Sequence, residues 1–303
     1  MGEAVAVGVD IGGTAVKIGA VNGAGVVLAQ DSLPFAAFVD FDGFARAVGD
    51  SIRGLGVKAG REIGAIGLAS PGFPDPDTGM INEGAYNVAI LRNRSLIAAL
   101  RAQGLPARVA LNDGVAAALG EYAFGAARGL QRFVLITLGT GVGGCVMIGG
   151  RPVMGALGSP PEIGAMVLDC DGPVCGNGLP GTLEAYACAD GFSAAYARHG
   201  GALSLAPAGI FARAADGDRQ ALAAIDDVSA RIAQALGSMI NMLNLEACVI
   251  GGGISQAGEP LRAGVAAHLP RFTWAPLLRG MSLHLALTGN AAGVLGAAAY
   301  ARG

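Results

Sequence analysis

Three short segments carry residue types suited to handling phosphate and a hydroxyl group. The first is DIGGTAVK, residues 10–17. Gly12 and Gly13 allow a tight turn, Thr14 adds a hydroxyl, and successive N–H groups in such a turn can converge on one anion. Asp10, at the end of a strand, can hold a magnesium ion directly or through water, and Lys17 adds positive charge. The spacing is not that of a Walker loop. A strand and not a helix follows, so the segment is not a dinucleotide fingerprint either. The second segment is TLGTGVGG, residues 137–144. Thr137 and Thr140 bring hydroxyls, while Gly139, Gly141, Gly143 and Gly144 let main chain approach a phosphate closely. The third is LNDGVAAA, residues 111–118, at a strand-to-helix junction. Asn112 or Asp113 can cap the helix. An aspartate with a reference pKa of about 4 is also ionised at neutral pH and can accept the proton of an attacking hydroxyl. The two roles are compatible within the pair.

The elements that must hold these segments follow from apolar periodicity. Val5–Val9 and Val16–Val21 read as a hairpin around the first glycine turn, with a third strand at Val26–Gln30. Phe44, Val48, Ile52 and Leu55 lie on one face of a helix over 41–55. Strands at Ala65–Ala69 and Arg108–Leu111 end at Ser70-Pro71-Gly72 and Asn112-Asp113, with helices at Ser95–Gln103 and Val115–Phe124. The pattern then restarts, with a strand at Arg132–Leu138, a glycine turn, and a returning strand at Cys145–Ile148. Residues 149–191 read as loop-rich, followed by helices at 191–199, 211–216 and 221–243, the last mildly interrupted by Gly237. Cys248–Ile250 is a strand delivering Gly251, Gly252 and Gly253; a helix at 261–269, a strand at 283–287 and a helix at 291–301 close the chain. The repeated strand–glycine turn–strand unit predicts two α/β domains in tandem, 1–112 and 113–303, with helix 291–301 packing back on the first. A ligand cleft is expected between them.

Composition sets outer limits. A chain of 303 residues with 52% hydrophobic and 14% charged residues can bury two cores and is not disordered. A net charge of −3 without Lys/Arg runs argues against nucleic acid or anionic membranes as partners. No apolar run reaches 18 residues and no leader pattern opens the chain, so a cytoplasmic location is expected. Five cysteines give no disulfide framework; Cys145 and Cys248 lie in strand-like runs, where cysteine behaves as a small buried hydrophobe.

Taken in order, GVDIGGTAVK, ASPG, LNDGVAAALGE, TLGTGVGG and VIGGGIS resemble the ROK group (repressors, open reading frames and kinases) over nearly the whole chain. The resemblance implies an α/β, two-domain actin/hexokinase-like (ribonuclease H-like) ATPase fold. It also implies ATP and magnesium, a hexose or N-acetylhexosamine phosphorylated at its 6-hydroxyl, and a homodimer or homotetramer. By position, Asp113 resembles the catalytic base. Asp10, Gly12, Gly13, Thr14 and Lys17 resemble the first phosphate motif, and Thr137, Gly139, Thr140, Gly141 and Gly143 the second. Gly251, Gly252, Gly253 and Ile254 resemble the adenosine-side loop. Gly72, Asn87, Asn112, Asp113, Glu162 and Glu184 match sugar-facing positions. Two departures stand out. The family's EIGH is EIGA here, with Ala165 for the histidine, and the zinc-binding CxCGxxGCxE is CDGPVCGNGLPGTLE, residues 170–184. Structural zinc takes about four N or S ligands. Cys170 and Cys175 alone do not supply them, so no structural zinc is expected.

Other classes remain. A repressor of this group carries a helix-turn-helix ahead of its DxGGT segment, and only nine residues precede Asp10 here. A non-catalytic sugar sensor or degenerate kinase fits the altered EIGA and cysteine regions. Polyphosphate could replace ATP as donor. The carboxylates Glu162 and Glu184 also suit a glycosidase, against which the two phosphate-type turns weigh.

Overall fold

The apolar runs of the sequence become the strands of two sheets, in a computed structural model that describes residues 3–75, 77–81 and 86–303. In chain order the first elements are β1 (Val5–Ile11), β2 (Ala15–Val21), β3 (Val27–Pro34), α1 (Phe41–Ala59), β4 (Ile63–Ser70), α2 (Leu96–Ala102), β5 (Ala107–Asn112) and α3 (Asp113–Phe124). There follow β6 (Arg132–Leu138), β7 (Val142–Ile148), β8 (Arg151–Pro152), α4 (Leu183–Ala187), α5 (Ala189–Arg198), α6 (Pro207–Ala215) and α7 (Arg219–Leu243). The chain ends with β9 (Ala247–Gly251), α8 (Glu259–Phe272), α9 (Ala275–Leu278), β10 (Ser282–Leu285) and α10 (Ala292–Arg302).

The two sheets share one topology. The first runs β3-β2-β1-β4-β5 and the second β8-β7-β6-β9-β10. In each, an antiparallel hairpin brackets a glycine turn and its first strand pairs in parallel with a later one: β1 with β4, and β6 with β9. The duplication read from the two hairpins is therefore a duplication of whole sheets, and the fold is α/β. Two compact units carry them. The first runs to Gly129 and includes Pro152–Pro160 and Asn290–Gly303; the second holds Leu130–Arg151 and Pro161–Gly289. The expected division after Asn112 thus falls inside the first unit, which keeps α3.

In the first unit α1 covers one face of the sheet with fully buried Phe44, Val48, Ile52 and Leu55, the stripe its sequence predicts. Asp40 caps its start by accepting from the N–H of Gly43, and Gly60 ends it in the left-handed conformation. Phe35 and Phe38 meet Phe44 edge-on at 5.6 and 5.3 Å. α10 lies against β1 and β4 at backbone distance. A Cβ on Gly8 would sit 1.9 Å from the Val294 carbonyl oxygen, and one on Gly67 2.1 Å from that of Ala297. α3 meets α10 the same way, because a Cβ on Gly296 would fall 1.7 Å from the Ala116 oxygen. This contact is what keeps α3 in the first unit. In the second unit, Gly237 does not interrupt α7; it admits Phe272, whose Cβ and backbone a side chain there would meet at 2.8–3.0 Å.

The two kinds of glycine predict opposite substitution effects. Gly296→Ala has no room and should destabilise by about 3 kcal/mol or prevent folding. Gly54 lies inside α1 with open space where its Cβ would be, so Gly54→Ala should stabilise by roughly 0.5–1 kcal/mol. Denaturant midpoints of the two variants check both signs.

Candidate active site

At the carboxyl end of β5 the chain passes from strand to helix through Asn112. The side chain of Asn112 is the N-cap of α3: its Oδ1 accepts from the N–H groups of Gly114 (2.9 Å) and Val115 (3.3 Å). Its Nδ2 donates to the Gly72 carbonyl at 3.0 Å. Gly72 adopts φ +82°, open to glycine at little cost, so the Ser70–Gly72 turn can bend back toward α3. Capping thus falls to Asn112, and Asp113 becomes the first helical residue, solvent-exposed at the positive end of the helix dipole. Its Oδ1 also accepts from the Gly114 N–H at 2.8 Å. The structure brings Gly72, Asn112 and Asp113 together. The side chain of Asn87 lies outside the described residues.

The first glycine turn joins β1 to β2 in the same unit. The Gly12 N–H is used to close the turn onto the Ala15 carbonyl at 3.0 Å, which leaves Gly13 and Thr14 at its exposed tip. Asp10 pairs across the hairpin with Lys17. The Asp10 carboxylate rests on the first turn of α10, where a Cβ at Gly293 would come within 2.7–3.0 Å of its Cγ and oxygens. Burial pushes the Asp10 carboxyl above its ordinary range, and Lys17 offsets this only in part. A desolvated carboxylate of this kind fits a magnesium ion, which takes one or two protein carboxylates and completes its shell with water and phosphate. Lys17 itself reaches toward the Asn290 carbonyl at 3.5 Å.

The second glycine turn joins β6 to β7. Here too the first amide is used internally, Gly139 N–H to Gly141 carbonyl at 3.0 Å. β9 delivers the Gly251–Ile254 loop beside it: Gly252, at φ +82°, is so close that a Cβ would meet the Leu138 backbone at 2.3–2.8 Å. Thr137 and Gly251 are register partners at the carboxyl ends of the parallel strands β6 and β9. That is where open α/β sheets place ligands. A cavity of about 600 Å³ opens there within the second unit, lined by Gly139 and Thr140, by Gly253, Ile254 and Gln256, and by Pro207 and Phe211 of α6. Phe211 and Gln256 escaped the sequence reading. Pro207 at the first position of α6 was the signal for that helix, which begins earlier than its apolar spacing predicted.

The acidic residues Glu162 and Glu184 also belong to the second unit. Thr182, which stands where the family pattern has a cysteine, is fully buried and caps α4 by accepting from the Ala185 N–H. This short helix lies in the stretch read as loop-rich, and it presents Glu184 on its first turn. The Glu162 carboxyl is raised by partial burial and by the negative charge of Glu184. Cys170 is exposed, and the Cys175 thiol donates to Glu184 at 3.0 Å. Among the described residues no group of three or more His, Cys, Asp and Glu side chains is placed to hold a metal ion. Cys145 and Cys248 are buried, their thiols pushed up to about 12 by desolvation, which makes them core residues and not nucleophiles. Among the described residues no helix is long and apolar enough to cross a membrane.

Two sheets of one topology, each with a glycine turn at its hairpin, are the frame on which known proteins can be compared. Residues 6–303 match the ROK family. The chain belongs to that family. It is 34% identical to a glucokinase of Thermotoga maritima over 281 residues, 87% of each chain. A ROK hexokinase of Thermus thermophilus has a similar structure, with a TM-score of 0.83 at 30% identity over 98% of both chains. A ROK glucokinase of Streptomyces griseus, solved with glucose and AMPPNP, has a TM-score of 0.81 at 28% identity over 98% of this chain and 99% of that one. These likenesses place the α/β architecture in the actin/hexokinase-like fold.

The raised Asp10 carboxyl makes a prediction about stability. The folded state holds the Asp10 proton more tightly than the unfolded state does. Its ionisation therefore removes stability as pH rises from the ordinary value of 3.8 through the raised folded value. Asp10→Asn should accordingly melt at a higher temperature than the parent at pH 7 without nucleotide. The gain should vanish below about pH 4, where both forms are neutral. Thermal melts of both proteins across pH 3–8 check this.

Proposed function

We propose that this ROK protein is a sugar kinase that transfers the γ-phosphoryl group of ATP to the primary 6-hydroxyl of a hexose or N-acetylhexosamine, with Asp113 as general base. The observation that carries the reading is the cavity shared by the second glycine turn and the Gly251–Ile254 loop. Phe211, Pro207 and Ile254 offer an apolar surface of the kind that binds a nucleobase, and the turn beside them offers backbone amides to a polyphosphate. Family relatives that phosphorylate glucose, one of them solved with an ATP analogue, support the same donor and acceptor class.

Phosphoryl transfer asks mainly for positioning and for stabilisation of charge on the phosphoryl oxygens. In this reading the second unit binds the donor through Thr137–Gly143 and the Gly251–Ile254 loop. The first unit contributes the Gly12–Thr14 tip, Lys17 and the acceptor-side residues. A magnesium ion, for which Asp10 is the fitting carboxylate, supplies neutralising charge to the phosphates when bound. Asp113 takes the proton as the hydroxyl oxygen forms its bond to phosphorus, and the bond to the β-phosphate oxygen breaks, so ADP leaves with the electron pair. Asn112 holds Asp113 in direction, and Gly72, Glu162 and Glu184 serve the sugar side. Ala165 leaves that side less polar than the family's histidine would.

Asp113→Asn keeps the helix and the shape of the side chain but removes the proton acceptor. Its kcat should fall by about 10²–10⁴-fold while the KM for sugar changes little. A coupled assay over glucose, mannose, fructose, allose and the N-acetylhexosamines, with ATP and with polyphosphate, measures both quantities and selects the substrate. Near-normal turnover of the variant would falsify the role of Asp113. Sugar binding without any transfer from either donor would mark a sensor instead.

A further inference from the structure

Glu184 stands where two segments of the second unit meet. Its Oε2 accepts from the N–H of Val142 at 2.9 Å, the residue that leaves the Gly139–Gly141 turn and opens β7. The carboxylate lies against the turn itself, since a Cβ on Gly141 would come 2.7 Å from that same oxygen. Its Oε1 accepts from the Cys175 thiol at 3.0 Å. Both oxygens of a residue matched to sugar binding are therefore engaged by protein, one of them by the turn read as the donor-phosphate turn.

The far side of this bridge is firmly held. Cys175 sits in a tight turn closed by Gly178 N–H to Cys175 carbonyl (2.9 Å) and Cys175 N–H to Leu179 carbonyl (3.1 Å). The segment around it is tied to α4 and α7. Tyr186 donates to Asp169 at 3.2 Å, and the Arg231 guanidinium lies 4.5 Å from the Tyr186 ring centroid. Gly181, at φ +54°, passes so close to the Asp169 carbonyl that any side chain would collide with it. A carboxylate fixed from behind in this way is an oriented acceptor, and hydrogen bonds to ionised acceptors are about twice as strong as neutral ones.

We infer that Glu184, locked by Cys175, is a positioning residue for the donor turn: its carboxylate sets the direction of the Val142 N–H and so the Gly139–Gly141 backbone, before any sugar binds. The inference rests on the reading of that turn as the donor-phosphate site. It makes nucleotide affinity depend on a residue that does not line the nucleotide cavity. A side chain that only touched sugar would leave sugar-free nucleotide binding unchanged.

The test is calorimetric titration of magnesium–AMPPNP into sugar-free protein, paired with amide hydrogen exchange at Val142 without nucleotide. Glu184→Ala should weaken AMPPNP by about tenfold or more, the scale of one hydrogen bond to a charged acceptor, and speed exchange at Val142. Glu184→Gln keeps an oxygen for the Val142 N–H and should stay within about threefold of the parent. Cys175→Ala should show the same two changes at smaller size, about threefold, and Cys175→Ser should recover them. Parental AMPPNP affinity and parental Val142 protection in folded Glu184→Ala overturn the inference. If that variant does not fold, unchanged Val142 protection in Cys175→Ala overturns it. A parent protein that binds no AMPPNP overturns the kinase reading instead, and Val142 exchange then still reports on the hold of Glu184 over the turn.

Discussion

The Asn112 carboxamide is the contact on which the strand ends of the first sheet depend. Its oxygen caps the start of α3 and its nitrogen holds the Ser70–Gly72 turn, so one planar group fixes the carboxyl ends of two neighbouring parallel strands. Because Asn112 takes the capping role, Asp113 need not. The carboxylate is left at the first helical position, exposed and set in the field of the helix terminus. A site that holds a reacting hydroxyl needs such a shell of groups whose own positions are already determined.

The same economy of side chains runs through the fold. Where Gly8, Gly67 and Gly296 stand, helix backbone touches strand or helix backbone with nothing between. Such contacts bring α10 close enough for Asp10, on β1, to rest over its first turn with Gly293 beneath. The burial that raises the Asp10 carboxyl is a consequence of that close approach. A group that weakens the fold when charged, on the strand that runs into a glycine turn, is the pattern of a residue kept for binding. In the second unit Gly141 and Gly252 do similar work, admitting Glu184 and the Leu138 backbone at close range.

Much of this was legible in the sequence because it is local. The two strand–glycine turn–strand hairpins, the Asn112-Asp113 junction and the stripe on α1 depend on residues within a few positions of each other. The ROK resemblance, carried by motifs in order, held for the family and the fold. What escaped depends on distant partners. α4 is five residues long and owes its start to the buried cap Thr182, so no periodic stripe announced it. The first unit extends past Asn112 because Gly296 meets Ala116 across nearly two hundred residues, which no local pattern encodes. Gly237 looked like a helix weakness and is a packing contact with Phe272 for the same reason. The bonds of Glu184 to Val142 and Cys175 likewise join segments that the sequence shows only as separate motifs.

The proposed reaction depends on Asn112 holding Asp113 and Gly72 together. Single-turnover phosphoryl transfer to the preferred sugar by Asn112→Ser measures it directly. Serine is as good a helix cap, but its hydroxyl is one bond shorter than the carboxamide nitrogen that reaches the Gly72 carbonyl, so that bond is lost. The account predicts a melting temperature close to the parent's and a transfer rate lower by about tenfold or more, the effect of a misplaced reacting group. Transfer at the parent rate in the folded variant would contradict it.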